Sequence, residues 1–227
     1  RLELAPTVLR YTRRYGEGKM INITILHTND LHGRIQQLER IATLVRKIRA
    51  EVSEKGGHCL YVDAGDSEDT ALLESSLTKG SAMNAILRGA GCDYVALGNA
   101  IPARYGIQPI KDMGVSFGHP LLCANLFSGT GELIQGLEPF TVVNFHNQKV
   151  GIIGLTAPLE SYRTFFHLKT EEAVDILPKL IADLRNRGAR TILLLSHLGS
   201  IADQELAEKI PGIDVIIGAH DHQIMSP

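Results

Sequence analysis

The chain has 227 residues, 44% of them hydrophobic and 21% charged, with no tryptophan and a formal net charge of −2 at neutral pH. That length can bury a substantial core in one large domain or two small ones. Acids and bases are interspersed, which excludes a strongly basic nucleic-acid surface, and the longest apolar runs, 191–195 and 215–217, are too short to span a bilayer.

Residues 1–20 read as an N-terminal extension: the segment is basic at Arg10, Arg13 and Arg14 and ends in Gly-Glu-Gly-Lys. It has no continuous apolar stretch of the kind that marks a secretory leader, so a cytoplasmic protein is expected. Cys59, Cys92 and Cys123 are scattered without CxxC spacing, which predicts buried free thiols and not a disulfide framework.

A domain over 21–227 follows. Residues 21–27 form a β-branched apolar run that breaks at Thr-Asn-Asp, the signature of a buried strand running into a loop. Leu38, Ile41, Leu44, Val45 and Ile48 recur at helical spacing up to Gly56-Gly57. Residues 59–63 predict a strand leaving through Ala64-Gly65-Asp66, 81–88 a helix, and 94–97 a strand leaving through Gly98-Asn99. In the second half, β-branched runs at 141–145 and 149–155 flank His146-Asn147-Gln148 and predict a hairpin. Helix 171–186, strand 191–196, helix 202–209 and strand 214–217 complete an α/β pattern with no internal repeat.

Ligand-type side chains fall just beyond strand ends: Asp30 and His32; Asp66; Asn99; His197; His220 and His222. In α/β sheets the carboxyl ends of strands gather along one edge, where ligands bind. Asp30-x-His32 and His220-x-His222 each have the i, i+2 spacing that turns two side chains to one side of an extended segment. The donor set mixes two carboxylates, one carboxamide and four imidazoles, which suits manganese, zinc or iron better than calcium. Seven protein ligands are too many for one ion and suit two.

The run Ile25-Leu26-His27-Thr28-Asn29-Asp30-Leu31-His32-Gly33-Arg34 resembles the opening motif of the 5′-nucleotidase branch of the calcineurin-like metallophosphatases. Asp63-Ala64-Gly65-Asp66, Ala96-Leu97-Gly98-Asn99, Ser196-His197 and Gly218-Ala219-His220-Asp221-His222 follow in the family's order. The resemblance implies a sandwich of two mixed β-sheets flanked by helices, with a dinuclear site at one edge. It implies one ion held by Asp30, His32, Asp66 and His222. A second would be held by Asp66, Asn99, His197 and His220, with Asp66 shared. The expected substrate is a small phosphoester, a nucleotide being one candidate, attacked by water acidified between the ions. No nucleic-acid or membrane partner is expected. Asn125, in Cys123-Ala124-Asn125-Leu126, resembles a segment lining the family's site and is a candidate substrate contact.

Two departures qualify the resemblance. The family places a substrate-facing His after the Gly-Asn pair and an Asp three residues beyond it; this chain has Ala100 and Ala103 there, with Arg104 as a speculative replacement charge. Only five residues follow His222, so the family's C-terminal nucleotide-binding domain is absent from this sequence. The expectation is a phosphohydrolase of reduced or altered activity, the alternative being a catalytically silent relative that binds metal and a phosphorylated ligand or partner.

Overall fold

In the computed structural model the described residues are 7–15, 19–68, 71–145 and 148–223. Two four-stranded sheets dominate. The first contains β1 (Thr7–Tyr15), β2 (Lys19–Thr28), β3 (His58–Asp63) and β4 (Tyr94–Val95) in sequence order. Between the large sheets in chain order come the short strands β5 (Leu121–Leu122), β6 (Leu126–Phe127) and β7 (Leu137–Glu138). The second sheet contains β8 (Phe140–Phe145) and β9 (Gln148–Thr156), then, after the short β10 (Lys169–Thr170), β11 (Ala189–His197) and β12 (Val215–Gly218), ordered β12-β11-β9-β8. Each large sheet is mixed: β2-β3-β4 and β9-β11-β12 run parallel, while β1 and β8 are antiparallel edge strands.

Among the described residues, eight helices connect and cover the sheets: α1 (Ile35–Glu54), α2 (Leu73–Thr78), α3 (Ser81–Gly89), α4 (Ala100–Tyr105), α5 (Ile110–Phe117), α6 (Glu160–Phe166), α7 (Ala173–Asn186) and α8 (Ser200–Lys209). The two-residue period of a strand distributes the core. Ile23 and Ile25 of β2, Leu60 and Val62 of β3, Val150 and Ile152 of β9, and Leu193 and Leu195 of β11 share one buried cluster between the sheets. On the other face, Leu26 and Tyr61 pack with residues of α1, α3 and α5, while Ile192 and Leu194 pack with those of α7 and α8. This is a helix–sheet–sheet–helix sandwich, as expected from the sequence.

Several elements differ from the expectation in detail. Residues 7–15 form β1, paired in continuous register with β2 from Thr7↔His27 to Tyr15↔Lys19. Leu9 and Tyr11 lean on the inter-sheet core while Arg10, Thr12 and Arg14 are exposed, a charged edge that discourages pairing with another chain. The segment after Asn99, for which the sequence predicts no element, is α4. The three cysteines are free thiols, with Cys92 and Cys123 buried. The tip of the β8–β9 hairpin at His146 and Asn147 lies outside the described residues, as does Asp69. Among the described residues, no helix is long and apolar enough to cross a membrane.

Candidate metal centre

The parallel strands of both sheets end on one side of the sandwich, and their exit loops interlock there. Asp30 N–H donates to Gly65 O (2.9 Å), His32 N–H to Asp66 O (3.1 Å) and Gly33 N–H to Ser67 O (2.8 Å), so the loops after β2 and β3 are zipped together. Beneath them Asp63, fully buried, accepts from Thr28 Oγ1 (2.6 Å) and Gly65 N–H (3.0 Å). Burial pushes the Asp63 carboxyl up to about 8, against the hydrogen bonds from Thr28 and Gly65. Arg34 Nη1 donates to the carbonyls of Asp30 and Leu31, a brace that sequence reading missed. Gly98 passes so close to Asp66 that an added Cβ would lie 2.0 Å from its Oδ1. Two residues on, Ala100 N–H donates to Asp66 Oδ1 (2.9 Å).

Two overlapping groups result, Asp30–His32–His222 and Asp30–Asp66–His197, each with its ligand atoms within 4.8 Å of one another. Asp30 Oδ1 lies 3.5 Å from His222 Nε2, 3.8 Å from His32 Nε2 and 3.9 Å from His197 Nε2. His197 Nε2 lies 3.3 Å from Asp66 Oδ2 and 3.0 Å from Asn99 Oδ1. The His220 ring stands beside that of His197, centroids 5.3 Å apart, and His220 N–H donates to Asp30 Oδ2 (3.0 Å). All seven sequence-expected ligands thus occupy one locality. The carboxylate common to both groups is that of Asp30; Asp66 Oδ2 reaches the second group.

The donor chemistry fits a cation. His197 is fully buried and its Nδ1 faces the carbonyl of Ala64 at 2.8 Å, which only an N–H can satisfy. In the neutral ring that leaves the Nε2 lone pair aimed at three oxygens, of Asn99, Asp66 and Asp30. Such an arrangement is repulsive unless Nε2 carries a proton or shares its lone pair with a positive ion. Burial alone would lower the His197 pKa, but hydrogen bonding and charge from Asp66, then the charge of Asp30, outweigh it and raise the ring above its usual value. Burial likewise raises Asp66, and the His197 contact overrides it to hold that carboxyl below its usual value. Asp30 Oδ1 is buried and has no hydrogen-bond donor among the described residues. An unmet buried acceptor costs about 1–3 kcal/mol, more when charged, so a bound cation would relieve it.

Backbone strain marks the same residues. Asp30, His32, Asp66, His220 and His222 all have positive φ, between 44° and 86°, in the left-handed region that bulky residues rarely adopt. Only Lys79 and His167 share this property among the described non-glycine residues. Strain of this kind, of order 1–3 kcal/mol per residue, persists where the surroundings over-determine it and clusters at functional sites.

The remaining candidates make other contacts. Asn125 is buried, and its amide is committed to the end of β9: Nδ2 donates to Thr156 O (2.8 Å) and Oδ1 accepts from Thr156 N–H (2.9 Å). Arg104 is exposed in the last turn of α4, while Ala103 is half-buried against the helical core. His27 is half-buried; burial takes it down to about 4, and its Nδ1 has no partner among the described residues. His58 stacks on Phe145 and His119 Nε2 lies 2.8 Å from Asp93 O, both structural uses.

The chain belongs to the calcineurin-like phosphoesterase family, whose model matches residues 23–224. Among curated proteins it is 28% identical over 208 residues to the uncharacterized metallophosphoesterase YunD of Bacillus subtilis, covering 89% of this chain and 44% of that protein. It is 30% identical over 227 residues to the snake venom 5′-nucleotidase of Gloydius brevicauda, covering 89% of this chain and 37% of that protein. Among solved structures it matches the NAD nucleotidase of Haemophilus influenzae with a TM-score of 0.75 at 23% identity, over 89% of this chain and 39% of the other. The 5′-nucleotidase precursor of Thermus thermophilus gives 0.73 at 24% identity, over 90% of this chain and 43% of the other. At these identities the structural likeness speaks to the fold. The chain spans less than half the length of these relatives.

Proposed function

We propose that this chain forms the metal-binding unit of a phosphohydrolase that acts on small phosphoesters, a nucleotide being one candidate substrate. The observation that carries this reading is the set of oxygens converging on the buried His197 Nε2 beside the His32–His222 pair, an arrangement that balances only around positive charge. Asp30, His32, Asp66 and His222 would hold one divalent ion and Asp66, Asn99, His197 and His220 the other; manganese, zinc and iron suit this donor set. When bound, such ions polarise the phosphoryl group and lower the pKa of a water molecule to near neutrality.

The chain's own residues do the rest. His197 would present Nε2 to the ion, with Nδ1–H held on Ala64 O to fix the tautomer. Ala100 N–H restrains Asp66 through Oδ1, leaving Oδ2 turned to the site. With Ala100 and Ala103 at the positions where the resemblance expects His and Asp, no side chain there protonates the leaving group. A positioned general acid contributes about two to four powers of ten in rate. Aryl phosphates, whose leaving groups need little protonation, should therefore turn over best, and alkyl phosphates such as nucleotides poorly.

The same Ala100 and Ala103 favour the second reading, a protein that binds metal and a phosphorylated ligand without turnover. Hydrolysis of p-nitrophenyl phosphate and of its bis-ester by the manganese- or zinc-loaded chain, beside Asp66→Ala, separates the two. Metal-dependent turnover lost in the variant supports the enzyme. Absence of turnover with two ions bound per chain supports the binding protein.

A further inference from the structure

The last ligand loop carries a restraint that the ligand set does not include. His220 and His222 both have positive φ, 86° and 56°, and His222 is 58% exposed, so the turn between them is strained and weakly packed. Between them stands Asp221. Its Oδ2 accepts from the Ser200 backbone N–H at 2.7 Å and from Ser200 Oγ, and its Oδ1 accepts from Gln223 N–H at 3.2 Å.

Ser200 is the first residue of α8, and the residue before it, Gly199, has no side chain to cap the helix. The first amides of a helix lack intrahelical partners and take an acceptor from a capping side chain when one is near. Here that acceptor comes from 21 residues further along the chain. The two segments are in contact: a Cβ added to Gly199 would lie 3.5 Å from Asp221 Oδ2 and 3.7 Å from His220 Cδ2. A bond that satisfies the start of α8 therefore also pins the turn whose other fixed point is His220 N–H on Asp30 Oδ2.

We infer that Asp221 is a positioning residue for the metal centre, holding His220 and His222 in their strained conformation by capping α8. This rests on the metal-binding reading above. The carboxylate points away from the ligand atoms and onto Ser200, so its role is orientation and not coordination. Partners that orient metal ligands typically change affinity by about 10–100-fold when removed. The lower end is expected here, because a single exposed cap is involved.

The test is manganese binding to the full chain by calorimetric titration, with no reliance on turnover. Asp221→Ala should weaken the ion associated with His222 about tenfold. Asp221→Asn keeps a good capping acceptor and should stay within about threefold of wild type. Ser200→Pro approaches the contact from the other side: proline is tolerated at the first helical position and removes both donors while leaving Asp221 in place. It should match Asp221→Ala, and it carries the test alone if Asp221→Ala does not fold. Wild-type affinity in Asp221→Ala and Ser200→Pro overturns the inference. So does a loss in Asp221→Asn as large as in Asp221→Ala, which would make charge and not capping the cause. A wild-type chain that takes up no manganese overturns the metal reading itself, and the inference with it.

Discussion

The two sheets contribute to the site in unlike ways. The first sheet supplies Asp30, His32, Asp66 and Asn99 on loops that are hydrogen-bonded to one another and floored by Asp63 and Thr28; Asp30 and Asp66 are 6% and 4% exposed. The second supplies His197 on the last residue of a fully paired strand, then His220 and His222 on a short turn after β12. His197 is as rigid as the sheet; His222 hangs on Asp221 and on its neighbours at the rim. The acidic half of the site is thus built into the fold, whereas part of the imidazole half is added from outside.

Gly98→Ala should break that comparison hardest. Its Cβ would fall 2.0 Å from Asp66 Oδ1 and 2.3 Å from Asp66 N, so the β3 exit must give way. Overpacking of this kind costs about 1–3 kcal/mol, and thermal denaturation should register it together with loss of measurable metal binding. Next in size is Ala100→His combined with Ala103→Asp. On the proposed reading, turnover of alkyl phosphates should rise about a hundredfold, and of aryl phosphates much less. An equal gain on both in steady-state assays would mean that the missing dyad is not a leaving-group acid.

A smaller effect should come from pH. The metal-free fold holds the His197 proton more tightly than an unfolded chain does, so that contribution to stability is complete at low pH, below the ordinary imidazole range. It disappears as pH rises through the raised pKa. The depressed Asp66 acts in the opposite sense and loses its contribution as pH falls through its own value. Metal must displace the His197 proton, so manganese affinity should rise with pH across the upper imidazole range, by at most about tenfold per unit for one proton. Affinity independent of pH there would remove His197 from the ligand set. The smallest change sharpens the contrast between the sheets: His222→Ala should lose one ion and keep the other, because Asp66, Asn99 and His197 do not depend on that ring.

Much of this was legible beforehand, for identifiable reasons. Apolar, β-branched runs mark β2, β3, β9 and β11, and each candidate ligand could be found because it follows a predicted strand. The edge strand β1 was hidden: Leu9 and Tyr11 do alternate with Arg10, Thr12 and Arg14, but the basic residues and the Gly-Glu-Gly that follow mask a pairing that β2 makes evident only in space. Helix α4 begins directly after the candidate ligand Asn99, with Pro102 inside its first turn, and its short length gives no periodicity to read. Asn125 could not be placed, because only the fold reveals that its amide is taken by Thr156. Positive φ at five ligand positions and the cap from Asp221 to Ser200 have no local sequence signal, since the first concerns backbone geometry and the second joins residues from separate elements.

The resemblance assigns the shared carboxylate to Asp66, whereas in the geometry Asp30 Oδ1 is common to both groups. Counting bound manganese or zinc in wild type, Asp66→Ala and Asp30→Ala tests this most directly. With Asp66 shared, wild type holds two equivalents, Asp66→Ala none and Asp30→Ala one. Two equivalents retained by Asp66→Ala, or one by Asp66→Ala and none by Asp30→Ala, would contradict the account and, in the second case, pass the shared role to Asp30.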